Sequence, residues 1–357
     1  MKTASPQPAP HHAGFEIARP YALFLGDVRD RLDAKTALGL LDWRRDWCIA
    51  QVRLPGCTVD IGLPEATASE AGALGARTLV VGVAAFGGRI PDHWVPALLE
   101  ALDAGLDLAS GMHDRLSARP EIADRAAQLG RRLHDVRHLP PCVALPVGSG
   151  TRRSGRRLLT IGTDCAIGKK YTALALERDM RARGWNADFR ATGQTGLLIS
   201  GGGIAVDAVV ADFIAGAAEL LSPPAAPDHW DLVEGQGSLF HPAYSGVSLG
   251  LLHGSQPDAL VLCHDPRRTH IDGYPDFPLP SASRCIALAL DLARLTNPDV
   301  RCVGISLNSA GMAEDARARA FAELSAECGL PCVDPLITGT DALLDEIERT
   351  FGHFGKA

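Results

Sequence analysis

The segment Arg157 to Arg183 constrains the chain most. Arg157-Leu158-Leu159-Thr160-Ile161 reads as a strand and runs without a break into Gly162-Thr163-Asp164-Cys165-Ala166-Ile167-Gly168-Lys169-Lys170. A helical stretch follows, Tyr171 to Arg183, stopped by Gly184. Strand, glycine-bounded loop, Gly-Lys and helix together make a phosphate cradle. Successive backbone N–H groups and the helix N-terminus surround an anion, and the lysine adds a full charge.

The loop departs from the common form in two ways. Five residues separate Gly162 from Gly168 where four are usual, and Lys170 stands where Mg²⁺-dependent nucleotide-cleaving proteins place Ser or Thr. Thr172 lies two positions on, turned by roughly 200° at 3.6 residues per turn, so it is not a simple substitute. Without the hydroxyl ligand, in-line phosphoryl transfer loses a central part. An extra lysine suits a phosphate-rich ligand that is held and not cleaved, such as coenzyme A. The cofactor-binding candidates are therefore Gly162, Thr163, Asp164, Cys165, Ala166, Ile167, Gly168, Lys169, Lys170 and Tyr171. Cys165, near a helix N-terminus and two lysines, is expected to have a lowered thiol pKa. A covalent intermediate on Cys165 is one reading, against which small residues in such loops usually serve geometry.

The rest of the chain supplies the α/β frame such a loop needs. Strands are expected at Tyr21–Leu25, Cys48–Val52, Thr78–Val83, Leu106–Leu108 and Leu133–Val136, with helices over Ala34–Trp43, Trp94–Ala104 and Ile122–Leu129. Alternation with short connections implies a helix-covered parallel sheet, a Rossmann-like unit, although no GxGxxG follows its first strand. After a Pro-, Gly- and Arg-rich linker, further strands are expected at Asp188–Ala191, Leu232-Val233, Ala259–Cys263, Val300–Ser306 and Cys332-Val333. Helices are expected over Asp207–Leu221, Ser281–Leu295, Ala313–Cys328 and Thr340–Thr350. The reading is α/β throughout: a Rossmann-like domain over 15–145, then a P-loop NTPase-like domain over 156–357. A length of 357 residues fits two domains.

Composition narrows the function classes. Hydrophobic residues make up 46% and charged residues 22%, as in globular proteins, which excludes wholesale disorder. A net charge of -7 argues against a nucleic-acid partner, and the longest nearly apolar run, Leu79 to Phe86, is far too short to span a membrane. Nine scattered cysteines without a CxxC pair argue against a disulfide framework or a structural zinc site, so no metal is assigned. They fit a reducing cytoplasm. A symmetric homo-oligomer acting on small molecules is the base-rate expectation for such an enzyme.

Gly162-Thr163-Asp164-x-x-x-Gly168-Lys169 and Val233-Glu234-Gly235-x-Gly237 resemble the dethiobiotin synthetase branch of P-loop proteins. A resemblance covering nearly the whole chain rests on four segments: Gly162–Leu176, Gly193-Gln194-Thr195-Gly196, Glu234-Gly235-Gln236-Gly237-Ser238-Leu239-x-His241-Pro242, and Leu252-His253-Gly254-Ser255-Gln256-Pro257-Asp258-Ala259. Together they look like the P-loop family, formerly of unknown function, that includes a D-glutamate N-acetyltransferase of bacterial D-amino-acid catabolism. The resemblance implies acetyl transfer from acetyl-CoA to the amine of D-glutamate or a similar acidic D-amino acid. The competing reading is an ATP- and Mg²⁺-dependent carboxylate-activating ligase or kinase of dethiobiotin synthetase type. A third is a non-catalytic nucleotide sensor.

Acetyl transfer to an amine needs a proton acceptor, oxyanion donors and a substrate clamp. Glu234, at a strand end, and His241 are the base candidates, with His113 in an N-terminal loop as a third catalytic candidate. Substrate-binding candidates are Arg190 at a strand end, Gln194, and His264, Arg267 and Arg268 after the strand Ala259–Cys263. The paired arginines suit bidentate contact with a carboxylate or a 3′-phosphate. Asn308 resembles the base-reading asparagine of dethiobiotin-type proteins and is a cofactor-binding candidate. Asp207 and Asp212, on different faces of one expected helix, do not suit a metal pair.

Overall fold

A computed structural model describes residues 17–84, 87–139 and 144–353. The chain divides into two compact units, Met1–Val143 with Gly193–Ala205, and Ala144–Thr192 with Val206–Ala357. The excursion of 193–205 into the first unit carries the Gly193-Gln194-Thr195-Gly196 motif with it.

The first unit is built on strands β1 (Tyr21–Gly26), β2 (Cys48–Arg53), β3 (Thr78–Val81), β4 (Asp107–Ser110) and β5 (Leu133–Asp135). They form one parallel sheet in the order β2-β1-β3-β4-β5. Every residue of β1 and β3 is buried, the signature of a parallel sheet covered on both faces. Helices Lys35–Arg44, Val95–Asp103 and Pro120–Leu129 lie close to the expected spans. A further helix, Ala68–Ala73, is opened by a reciprocal capping box between Thr67 and Glu70. Its Thr-x-x-Glu signal stands in the sequence, but six residues give too little apolar periodicity to draw notice.

The second unit carries β6 (Arg156–Gly162), β7 (Asn186–Arg190), β8 (His229–Val233) and β9 (Ala259–His264), then a two-stranded antiparallel hairpin, β10 (His270–Ile271) with β11 (Tyr274–Pro278), and finally β12 (Arg301–Leu307) and β13 (Cys332–Val333). Its main sheet is parallel, in the order β13-β12-β9-β6-β8-β7. The central strand β6 feeds the P-loop into the helix Lys169–Ala182. From β6 the chain builds first toward β8 and β7, then crosses to β9 and β12. That reversal places a topological switch point at the carboxyl end of β6, where open α/β sheets bind ligands. Since all the strands run one way, the residues following β6, β8, β9 and β12 share one edge.

Two expectations are corrected here. Asp207–Leu221 is not one helix but two single 3₁₀ turns, Val206–Ala208 and Ala211–Phe213, followed by the helix Ile214–Leu221. The β-branched pair Val209-Val210 interrupts it, Val210 sitting at φ -58°, ψ 137°. Asp207 and Asp212 therefore occupy separate turns. The Gly193–Gly196 motif and the stretch after Tyr244, for which the sequence pattern predicts no element, form the helices Gln194–Ser200 and Ser245–Ser255. Among the described residues no helix is long and apolar enough to cross a membrane.

Candidate active site at the P-loop

The loop after β6 is held by its own side chains. The Asp164 carboxylate is fully buried, and its Oδ1 accepts the Cys165 N–H at 2.6 Å. Its Oδ2 accepts from Arg268 Nη1 at 2.6 Å and from the Asp272 N–H at 2.9 Å. Arg268 also donates to the Cys165 carbonyl at 2.9 Å. One carboxylate thus ties the P-loop to the residues after β9 and to the hairpin turn between β10 and β11. Thr163 Oγ1 bonds His264 Nδ1 at 3.0 Å, adding a second link from the loop to β9. Ala166 sits at φ 53° and Gly168 at φ 111°, the left-handed turns that aim the loop into the helix.

Lys169 is buried, and its Nζ donates to the Asp164 carbonyl at 2.6 Å. Burial pushes its ammonium below the usual lysine range. Lys170 is half-buried, its Nζ 5.0 Å from the Tyr171 ring centroid. By helical geometry the N–H groups of this first turn point back toward the loop, so an anion there meets amide dipoles and lysine charge together. Thr172 faces the other way: its Oγ1 donates to the Gly168 carbonyl at 3.1 Å and pairs with Ser306 Oγ at 2.8 Å, against β12.

Glu234 follows β8 and is 5% exposed. Its Oε2 accepts the Thr192 N–H at 3.0 Å, while Thr192 Oγ1 donates to its carbonyl at 2.5 Å. The neighbouring Gly235 admits no side chain, since a Cβ would stand 1.6 Å from the Thr160 carbonyl oxygen and 3.1 Å from Lys169 Cδ. The missing Cβ lets the end of β8 close against β6 and the P-loop lysine.

His241 is 2% exposed and lies beside the loop. A ring nitrogen of His241, the Cys165 sulfur and an Asp164 oxygen all lie within 4.8 Å of one another. The ring packs on Tyr244 and Tyr274, with centroids 4.5 and 5.2 Å away. Its Nδ1 accepts the Ala243 N–H at 3.1 Å, so the neutral ring keeps its proton on Nε2 and presents a donor there. Burial lowers its pKa. The same trio has the donor types of a cation site, but the Arg268 guanidinium on Asp164 already supplies the compensating charge.

Burial also corrects the expectation for Cys165. Its thiol is pushed up, not down, because desolvation outweighs the nearby Lys169 charge. The remaining candidates fall into three sets. His264, Arg267 and Arg268 follow β9 as expected, but Arg267 forms a fork with Asp265 at 2.9 and 2.7 Å, and Arg268 belongs to Asp164. Arg190 is buried in an ion pair with Asp231 at 2.6 Å, so its guanidinium is taken up within the sheet. Asn308 follows β12, and its Oδ1 accepts the Ala310 N–H at 3.4 Å in a local turn. The first unit holds the others. Gln194 there bonds Arg137 and packs its Cβ where a side chain on Gly111 would be, 2.6 Å away. His113 is exposed in the loop after β4, and its carbonyl lies 3.0 Å from His138 Nε2.

Asp272, Tyr244 and Tyr274 enter the site unannounced. The Asp272-Gly273 pair is a hairpin signal, with Gly273 at φ 77°, but its flanking strands are too short to be read as alternating runs.

Comparison with known proteins places this arrangement. The P-loop family model described as "Domain of unknown function (DUF1611_C) P-loop domain" matches residues 146–344, and the companion "Domain of unknown function (DUF1611_N) Rossmann-like domain" matches residues 52–139. A D-glutamate N-acetyltransferase from Tritonibacter scottomollicae is 51% identical over 331 residues, covering 93% of this chain and 99% of that one. A second D-glutamate N-acetyltransferase, from Pseudoalteromonas sp., is 48% identical over 329 residues, with 92% and 98% covered. The crystal structure of a DUF1611 family protein from Anabaena variabilis superposes with a TM-score of 0.82 at 36% identity, covering 93% of this chain and 99% of that one. With its two domain models matched in order and its relatives aligned almost end to end, the chain belongs to the DUF1611 family.

Proposed function

We propose that this protein is an N-acetyltransferase that moves the acetyl group of acetyl-CoA to the amine of D-glutamate or a similar acidic D-amino acid. The observation that carries the reading is near-full-length identity of 51% and 48% to two D-glutamate N-acetyltransferases of different genera. The chemistry of the site supports it. Both substrates are anions, a CoA ester with its phosphates and an amino acid with two carboxylates. Lys169, Lys170 and the helix N-terminus supply cationic and amide-dipole character at one edge of the sheet. Lys170 takes the place of a Mg²⁺-binding hydroxyl, and Thr172 turns its own toward β12. These residues lack the Mg²⁺-binding hydroxyl that in-line phosphoryl transfer needs, and so suit an anion that is held and not cleaved.

In this reading His241 Nε2–H donates to negative charge that develops during acyl transfer, the task that preorganised donors perform in such reactions. Glu234 braces the Thr192 backbone where the chain leaves the second unit, and is a positioning residue. The test is turnover with acetyl-CoA and D- or L-glutamate, followed by release of CoA thiol and by mass spectrometry of the product. N-acetylglutamate formed without ATP or Mg²⁺ is the expected result. ADP release that depends on Mg²⁺, with no acetylated product, would replace this reading by the carboxylate-activating one.

A further inference from the structure

We infer that Cys165 carries the acetyl group between the two substrates, so that transfer runs through an acetyl-cysteine enzyme and the P-loop serves the reacting end of the substrates. This inference rests on the acetyltransferase reading and adds to it the route the acetyl group takes. Its basis is a juxtaposition: the thiol inside the P-loop lies within 4.8 Å of a ring nitrogen of buried His241 and of an Asp164 oxygen. Both ends of the Cys165 peptide are clamped, the N–H by Asp164 Oδ1 at 2.6 Å and the carbonyl by Arg268 at 2.9 Å. The histidine is itself fixed, by the Ala243 N–H and by Tyr244 and Tyr274.

The tautomer of His241 suits the chemistry. With Nδ1 accepting the Ala243 N–H, the neutral ring carries its proton on Nε2 as a hydrogen-bond donor. Lys169 adds positive charge from within the loop, and the first-turn N–H groups are donors of the kind that stabilise an oxyanion. Burial raises the thiol pKa, and the charges of Lys169 and Arg268 act against that rise. The charged groups around the sulfur are Asp164, Lys169, Arg268 and Asp272, and around the histidine Asp164, Lys169 and Asp272.

The steps balance without an oxidant or a further reactant. The Cys165 thiol releases its proton to solvent, and the thiolate attacks the acetyl carbonyl of the CoA thioester. A C–S bond to Cys165 forms, the C–S bond to CoA breaks, and the departing CoA thiolate takes a proton from solvent. The acceptor's ammonium loses one proton to solvent, and its free amine attacks acetyl-Cys165. The C–N bond forms, the C–S bond to Cys165 breaks, and the second nitrogen proton passes to the cysteine sulfur, restoring the thiol. The first half exchanges one thioester for another at nearly equal energy, and amide formation draws the second half forward. In CoA the pantetheine arm separates the thioester from the pyrophosphate. The cradle beside Cys165 therefore faces the acyl group and a carboxylate of the acceptor, and the CoA phosphates bind beyond this loop.

Intact-protein mass spectrometry after incubation with acetyl-CoA alone tests the inference. One added acetyl group is expected, removed by neutral hydroxylamine, mapped to Cys165 and discharged by D-glutamate. Initial rates should give parallel double-reciprocal lines. Cys165→Ser, which preserves size and folding as judged by thermal melting, should lose at least about 100-fold in turnover, as loss of a nucleophile does. The wild type should also exchange labelled CoA into acetyl-CoA without an acceptor, and C165S should not. Full turnover by C165S, or intersecting lines with no acetyl-enzyme while N-acetylglutamate still forms, would overturn the cysteine route and leave the acetyltransferase reading intact. Acetyl-Cys165 formed with no product from any acidic amino acid would uphold the cysteine and remove the acceptor assignment. Neither adduct nor product would overturn both.

Discussion

Glu234 shows how a residue's place can be read from the sequence while its partners cannot. A carboxylate at the end of a central parallel strand lies where ligands bind, and its sequence position announces that much. Its partners are set by other chain segments: the Thr192 N–H at 3.0 Å occupies Oε2. Glu234→Gln keeps an oxygen acceptor for that N–H, so turnover should stay within a few-fold of wild type. Glu234→Ala leaves a buried donor unmet and should lower stability by about 1–3 kcal/mol. Chemical denaturation of both variants, read beside kcat, checks this. A loss of 100-fold or more in E234Q would return Glu234 to the role of base. Cys165 and His241 teach the same lesson, since burial reverses or redirects the titration expected of the isolated groups.

At the scale of elements, β6 and its P-loop were legible because strand, glycines, lysine and helix are contiguous and each obeys a local rule. The helix Ser245–Ser255 and the hairpin β10–β11 were not, since neither has a clear period in its own sequence. The hairpin owes its place to tertiary bonds, chiefly the Asp272 N–H on Asp164 Oδ2 at 2.9 Å. Asp164→Asn removes the charge that pairs with Arg268 and should cost about 1–3 kcal/mol. It should also loosen the hairpin, seen as faster amide hydrogen exchange at 270–278 with little change in β1 to β5. Unchanged exchange there would mean that the hairpin is held by other contacts.

At the scale of the whole molecule, three histidines among the described residues, His134 in the first unit and His241 and His264 in the second, have pKa values lowered from 6.5, in each case chiefly by burial. The folded state resists protons that the unfolded chain accepts. Stability is therefore full above about pH 6.5 and falls as the pH drops through the lowered values, before the carboxylates are titrated. Thermal melting followed from pH 8 to 5 should show Tm declining from about pH 6.5 downward, and His264→Gln should flatten part of that decline. A flat profile to pH 5 would mean that these rings are wetter than their packing implies. The sequence alone determined the two-part α/β organisation, the order of most strands along the chain and the P-loop between strand and helix, because short-range patterning encodes all of these. Tertiary structure decided that Asp164 is a hub, that Arg190 is spent within the sheet, and that His241 meets Cys165 across 76 residues of chain. Charges, tautomers and burial depend on what the rest of the chain brings alongside, and no local pattern carries that information.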